Sequence, residues 1–372
     1  MDVDIQDFLQ LTSNRSCIAD AWEYAHQRPG TAETQLAIWK SSDLEEVEES
    51  QQLPVLTKIV LKMISLDINS FLQASSSSID EIDSYNRTAL YWACSRGDDM
   101  TVRTLLSYHA NVSLAERTGL TPLHIADSAT IVELLIAAGA MTDVRDTWDR
   151  TPLHWATYQG KSVEVVSALI AGGADVNISR WNSSGYAECA LHMAADFGND
   201  ELVQCLLDNG AEIDLRPHKT SLTPLATAVW RSKPLIVQRL LTRGADPSTV
   251  CAGDQTILHL AAAFADMGTM GVLAANLCGD IEKLDVELRN DDGQTARQVL
   301  EQRDGCNVGL LELFDVLSDG IQRFHQDPVL GVCSAVEGAE KAREIGLTVI
   351  PLDEENGEDN FFDTLEMVEY EA

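Results

Sequence analysis

Thr151-Pro-Leu-His-Trp-Ala156 is one of six closely similar hexapeptides in this chain of 372 residues. The others are Thr88-Ala-Leu-Tyr-Trp-Ala93, Thr121-Pro-Leu-His-Ile-Ala126, Cys189-Ala-Leu-His-Met-Ala194, Thr223-Pro-Leu-Ala-Thr-Ala228 and Thr256-Ile-Leu-His-Leu-Ala261. A truncated seventh stands at Thr295-Ala-Arg297, and the starts are 33, 30, 38, 34, 33 and 39 residues apart. Each hexapeptide precedes a short helix pattern and then a second apolar run that closes on Gly-Ala or a variant. Val203-Gln-Cys-Leu-Leu-Asp-Asn-Gly-Ala211 is an example. A period of this size marks a stack of small units that bury their apolar faces against one another.

Each part of the unit has a physical reason. Thr and Pro open the first helix, where a hydroxyl can cap and a missing N–H costs nothing. Leu and Ala behind them fill a narrow helix-to-helix contact. Gly after the second helix supplies the left-handed turn that stops it. Departures are local. The Thr121 unit is short and has Asp127-Ser-Ala-Thr130 where a glycine turn is usual, which predicts a clipped first helix. Between Thr151 and Cys189 the chain gains about five residues around Arg180-Trp-Asn-Ser-Ser-Gly-Tyr-Ala-Glu188, which predicts one long finger. The Thr256 unit lacks the Gly-Ala close, which predicts an irregular second helix.

The period and the T-P-L-H-x-A pattern are similar to those of the ankyrin repeat, with six full matches and one partial over about 60% of the chain. The resemblance implies an all-α solenoid of helix-turn-helix units with β-hairpin fingers. The expected organisation is an N-terminal helical or partly disordered segment with an acidic linker at 1–52, then a degenerate capping repeat at 53–81. Repeats follow over 82–303, a helical cap over 304–330, and an acidic, largely disordered tail over 331–372. The tail, with Phe361-Phe-Asp-Thr-Leu-Glu366, resembles that of large fungal ankyrin families.

Composition narrows the function. There are 59 acidic against 26 basic residues, a formal net charge of −33, which disfavours nucleic acid and anionic membrane. No apolar stretch reaches 18 residues, and the start MDVDIQDFLQ lacks the pattern of a secretion signal. The eight cysteines never form Cys-x-x-Cys, so neither a zinc site nor a disulfide framework is expected, and the chain is assigned to the cytoplasm or nucleus. His124, His154, His192 and His259 share one repeat slot. Copies about 10 Å apart cannot share an ion needing ligands near 2.1 Å, and in the family this histidine bonds to backbone between repeats. No phosphate loop, H-E-x-x-H or G-x-S-x-G is present, so no catalytic residue, metal or cofactor is expected.

Ankyrin proteins recognise partners with fingertips and the concave face of the first helices. Carrying those slots over gives Tyr85, Arg87, Arg96, Trp148, Arg150, Tyr158, Gln159, Trp181, Phe197, Lys219, Trp230 and Arg231. Trp155 is assigned to the buried side of its helix. A locally basic, aromatic groove in an acidic protein should favour a protein partner with carboxylates and a hydrophobic anchor. The acidic tail is a candidate for self-contact with that groove. A scaffold or adaptor is the expected class. An enzyme-complex subunit and a transcriptional regulator acting through protein partners are the alternatives.

Overall fold

The computed structural model describes residues 53–62, 68–74, 79–181, 187–218, 222–276, 284–303 and 308–326. The segment 1–52, Lys219 and the tail from 331 onward lie outside them. The chain divides into two compact units, Met1–Pro224 and Leu225–Ala372.

In the first unit the helices come in antiparallel pairs. They are α1 (Val55–Val60) with α2 (Ile68–Ala74), and α3 (Ala89–Ser95) with α4 (Asp99–Ser107). A lone α5 (Ala129–Ala137) precedes α6 (Pro152–Tyr158) with α7 (Val163–Ala171), and α8 (Ala190–Phe197) with α9 (Asp200–Asp208). First helices pack on first helices, as α6 does on α8, and second on second, as α5, α7 and α9 do in turn. The unit starting at Thr121 has its first helix reduced to a single turn at 122–125, as its shortened sequence predicts.

The threonines act as read. Thr88 and Thr151 accept from the N–H of Tyr91 and His154, at 3.2 and 3.4 Å, at the first turns of α3 and α6. The repeated leucines fill the seams: Leu123, Leu153 and Leu191 on the first-helix side, and Leu135, Leu169 and Leu206 on the other, are all buried. Gly139 follows α5 at φ +93°, a conformation an L side chain resists, and so turns the chain out of the helix.

The fingers that join the pairs are mostly tight turns. Among the described residues only one pairs as strands, β1 (Ser179–Trp181) antiparallel to β2 (Ala187–Cys189), with Arg180 opposite Glu188. Neighbouring fingers are stitched by main chain: Arg117 N–H donates to Tyr85 O at 3.0 Å, and Thr147 N–H to Thr118 O at 2.9 Å. Gly119 makes the second stitch possible. It sits at φ +85°, and a Cβ there would lie 3.1 Å from Asp146 Cα.

The second unit holds α10 (Pro224–Trp230), α11 (Pro234–Thr242), α12 (Ile257–Phe264), α13 (Met267–Asn276), α14 (Ala296–Gln302) and α15 (Val308–Gln326). Here α12 packs on α14, α11 on α13, and α15 on both α13 and α14. Where the sequence suggests an irregular second helix in the Thr256 unit, α13 is continuous over Met267–Asn276, and the Asp266 carboxylate caps it by accepting from Thr269 N–H at 2.7 Å; the missing close at 277–279 lies outside the described residues. Arg303 reaches back to donate to the Ala265 carbonyl at 2.7 Å, beside the end of α12.

Candidate functional site

Two fingers of the first unit are built to one plan. In Asp83-Ser-Tyr-Asn-Arg-Thr88, Asp83 Oδ1 accepts from the N–H groups of Tyr85 and Arg87 at 2.8 and 2.9 Å. Its Oδ2 accepts from Arg87 Nε at 2.9 Å and from Trp92 Nε1 at 3.2 Å. In Asp146-Thr-Trp-Asp-Arg-Thr151 the same bonds recur: Oδ1 takes Trp148 N–H and Arg150 N–H at 2.9 and 2.8 Å, and Oδ2 takes Arg150 Nε at 2.7 Å. Asn86 and Asp149 both take positive φ, at 65° and 62°, which lets four residues close on one carboxylate. Both aspartates are buried, so the Asp–Arg pair acts as an internal clasp.

The clasped guanidinium is sandwiched. Arg87 lies 4.5 Å from the Tyr85 ring and 4.3 Å from Trp92. Arg150 lies 4.4 Å from Trp148, 4.1 Å from Trp155 and 5.6 Å from Tyr158. Burial lowers the Arg150 pKa from the usual guanidinium value, and Asp146 counteracts that fall. Each ring on such a platform is locked by a charge that cannot leave without leaving a buried carboxylate behind.

From the second platform an aromatic row continues along the first helices. Trp155 is buried, as its slot suggests, and its ring is 6.2 Å from Tyr158. Tyr158 meets Phe197 edge-on at 5.9 Å. Trp148 and Phe197 remain 44% and 47% exposed, while Tyr158 and Gln159 are half-buried. Sequence slots therefore bring Trp148, Tyr158 and Phe197 to one surface, whereas Arg150, read from the sequence as a contact residue, is buried among the rings on its pair with Asp146.

The remaining candidates lie elsewhere. Tyr85 and Arg87 form their own platform, with Arg117 5.4 Å above Tyr85. Arg96 is exposed at the end of α3. Trp181, 53% exposed on the long finger, meets the His218 ring at a tilt, 5.3 Å between centroids. In the second unit Trp230 meets Phe264 edge-on at 6.3 Å, and Arg231 lies 4.2 Å over the Trp230 ring. The reading missed Asp83 and Asp146, although Asp-x-x-x-Arg at one slot of two repeats was the available signal.

The histidines sit one layer below. Thr121 and Thr151 donate their N–H to Nδ1 of His124 and His154 at 3.1 and 3.3 Å, which puts the ring proton on Nε2. Nε2–H of His124 then donates to Arg150 O at 3.1 Å, and that of His192 to Leu222 O at 2.9 Å. In the second unit His259 bonds Gln294 O at 3.0 Å. His154 departs from the pattern. The Ile178 carbonyl is near enough to favour its protonated ring, yet buried Nε2 has no partner in hydrogen-bond geometry. Arg180 Nε is also buried without a partner. Burial holds His124 down at about 4 and, with Arg180 and Arg145 adding to it, His154 at about 3.

One pair has the outward look of a nucleophile and its base: Cys189 Sγ is 3.0 Å from His192 Nδ1. Its electrostatics run the other way. Burial pushes the thiol up to about 11 and the imidazole down, so both are neutral and the sulfur stands in for a threonine hydroxyl. Among the described residues no group of three or more His, Cys, Asp or Glu side chains is placed to hold a metal ion, and no helix is long and apolar enough to cross a membrane.

The family model described as "Ankyrin repeats (3 copies)" matches residues 59–146, 110–180, 127–217 and 180–250, together a little over half of the chain. The chain belongs to the ankyrin-repeat family. Rabankyrin-5 of Mus musculus is 33% identical to this ankyrin-repeat protein over 198 residues, covering 51% of this chain and 16% of the relative. The B-cell lymphoma 3 protein homolog of Mus musculus is 30% identical over 199 residues, 51% of this chain and 44% of the relative. The chain thus spans less than half of either curated relative. Among solved structures, the human ASB11 ankyrin repeat domain superposes with a TM-score of 0.51 at 24% identity, over 61% of this chain and 98% of that one. It shares the fold.

Proposed function

We propose that this ankyrin-repeat protein works by holding another protein on the first-helix face and fingers of its first unit, with no chemistry of its own. Ankyrin repeats in general mediate protein–protein contact, and one observation supports this surface over others. Trp148 and Tyr158 lie against a buried Asp146–Arg150 pair, and Tyr158 carries the row on to Phe197 by an edge-on contact. Apolar rings held rigid before binding lose little entropy on contact, the usual property of interface hot spots. Trp181 on the long finger, Tyr85 with Arg96, and Trp230 with Phe264 in the second unit are secondary candidates. Cys94, Cys189, Cys205 and Cys251 stand as thiols and not in disulfides, which fits a reducing compartment, cytoplasm or nucleus.

The test is to replace Trp148 and Phe197 together by alanine in the full chain and to compare co-purifying proteins by mass spectrometry. Helical circular dichroism should be unchanged, and at least one protein held by the natural chain should disappear. Retention of every partner would place the contact elsewhere. An adaptor in a transcriptional complex and a subunit of an enzyme complex differ from this reading only in the partner recovered.

A further inference from the structure

The expectation of an acidic partner rested on the arginines of the candidate surface, and the structure changes what those arginines are. Arg87 and Arg150 are closed on Asp83 and Asp146, at 2.9 and 2.7 Å. Arg145 is bonded to Asp149 at 2.6 Å, Lys161 to Asp127, and Arg180 to Glu188. Between Ile79 and His218 the chain has nine basic residues against twenty carboxylates. Five of the nine are thus consumed in ion pairs inside the chain. The unit as a whole therefore carries an excess of carboxylates, and Trp148 and Phe197 are exposed on it. A carboxylate-bearing ligand would meet guanidiniums that are already paired, and repulsion from the rest.

We propose that the Trp148–Tyr158–Phe197 row takes a basic segment of its protein partner, whose arginine or lysine side chains stack on the rings while the unit's overall carboxylate excess draws it in. This rests on the reading of that row as the docking surface and adds the chemistry of the occupant. Two physical facts favour it. Cations bind the faces of tryptophan and tyrosine, and Arg150 at 4.4 Å from the Trp148 ring shows these rings in that role within the chain itself. Charge of one sign steers partners of the other, so the unit's excess raises the encounter rate of a basic segment and lowers that of an acidic one. The acidic tail at 353–372 is, on the same grounds, a poor occupant of this row.

The experiment uses the full chain and three synthetic peptides of equal length and equal leucine content, bearing arginines, glutamates or glutamines at the same positions. Fluorescence anisotropy gives the affinities at ~50 mM and ~300 mM salt, on either side of strong screening. The arginine peptide should bind about tenfold more tightly than the glutamine peptide at low salt, and Trp148→Ala with Phe197→Ala should remove most of that gain. Arginine-peptide binding that survives the double substitution would mean diffuse charge attraction and would overturn the proposal. Preference for the glutamate peptide, lost on the same substitution, would also overturn it while leaving the row as the docking surface. If no peptide responds to the substitution, both the occupant and the surface are wrong.

Discussion

The finger at 146–151 and the finger at 179–189 follow consecutive repeats of the first unit and solve the same problem differently. The first is a tight turn closed by Asp146, and its closure delivers the Arg150 carbonyl to His124 Nε2. The second is longer, pairs as strands through Arg180 and Glu188, and brings the Ile178 carbonyl near His154 without hydrogen-bond geometry at Nε2. The comparison shows what the short finger is for. Beyond linking helices, its geometry sets the register of one acceptor under the next ring. Lengthening the finger keeps the helices in place and forfeits that acceptor, with two buried donors left open at roughly 1–3 kcal/mol each.

Acidification should expose the contrast on the largest scale. A histidine whose folded pKa lies below its unfolded value of about 6.5 stabilises the native state fully above that pH. The contribution is lost as pH falls through the folded value, because the unfolded chain binds the proton first. His124 should therefore lose its share between pH 6.5 and about 4, and His154 between pH 6.5 and about 3. The unfolding free energy from urea titration should fall from pH 7 to pH 5, by about 1–2 kcal/mol for each of His124 and His154. NMR titration should show His154 protonating at lower pH than His124. An ordinary titration near pH 6.5 for either would refute the burial account.

The clasp can be broken directly. Asp146→Ala leaves the Arg150 charge and two finger N–H groups without their acceptor and should cost about 3 kcal/mol in urea unfolding. Glu188→Ala, which opens the more exposed pair of the long finger, should cost about 1 kcal/mol or less. Equal costs would erase the distinction between the two fingers. A finer measure is His124→Ala against His154→Ala. The first removes a bond to the next repeat that the second never had, so it should be more destabilising by about 1 kcal/mol. The smallest effect is expected at Cys189→Thr, which restores the hydroxyl found at the same position of Thr151 and should raise stability by about 0.5–1 kcal/mol.

Much of the fold was legible because its signals are local. A threonine cap, a buried leucine and a glycine stop each act within a few residues, and repetition of all three left little room for another architecture. Asp266 shows the limit: attention to the missing Gly-Ala close passed over the carboxylate that caps the start of α13. The candidate surface was less legible. Slot alignment gives the backbone position of Arg87 and Arg150 but not the direction of their side chains. Both fold back onto an aspartate four residues earlier, and only tertiary packing fixes that choice. Tyr158 and Phe197 are 39 positions apart in the chain, and their contact depends on how closely successive repeats stack.

The long finger carries a consequence for how such chains vary. Helix α6 still packs on α8, and α7 on α9, across a connection enlarged by a whole strand pair. Added length is confined to the rim and never propagates into the stacked seams. New recognition loops can thus be grafted at this edge by insertion, at the cost of a few buried donors left without an acceptor, while the helix seams of the first unit keep their register.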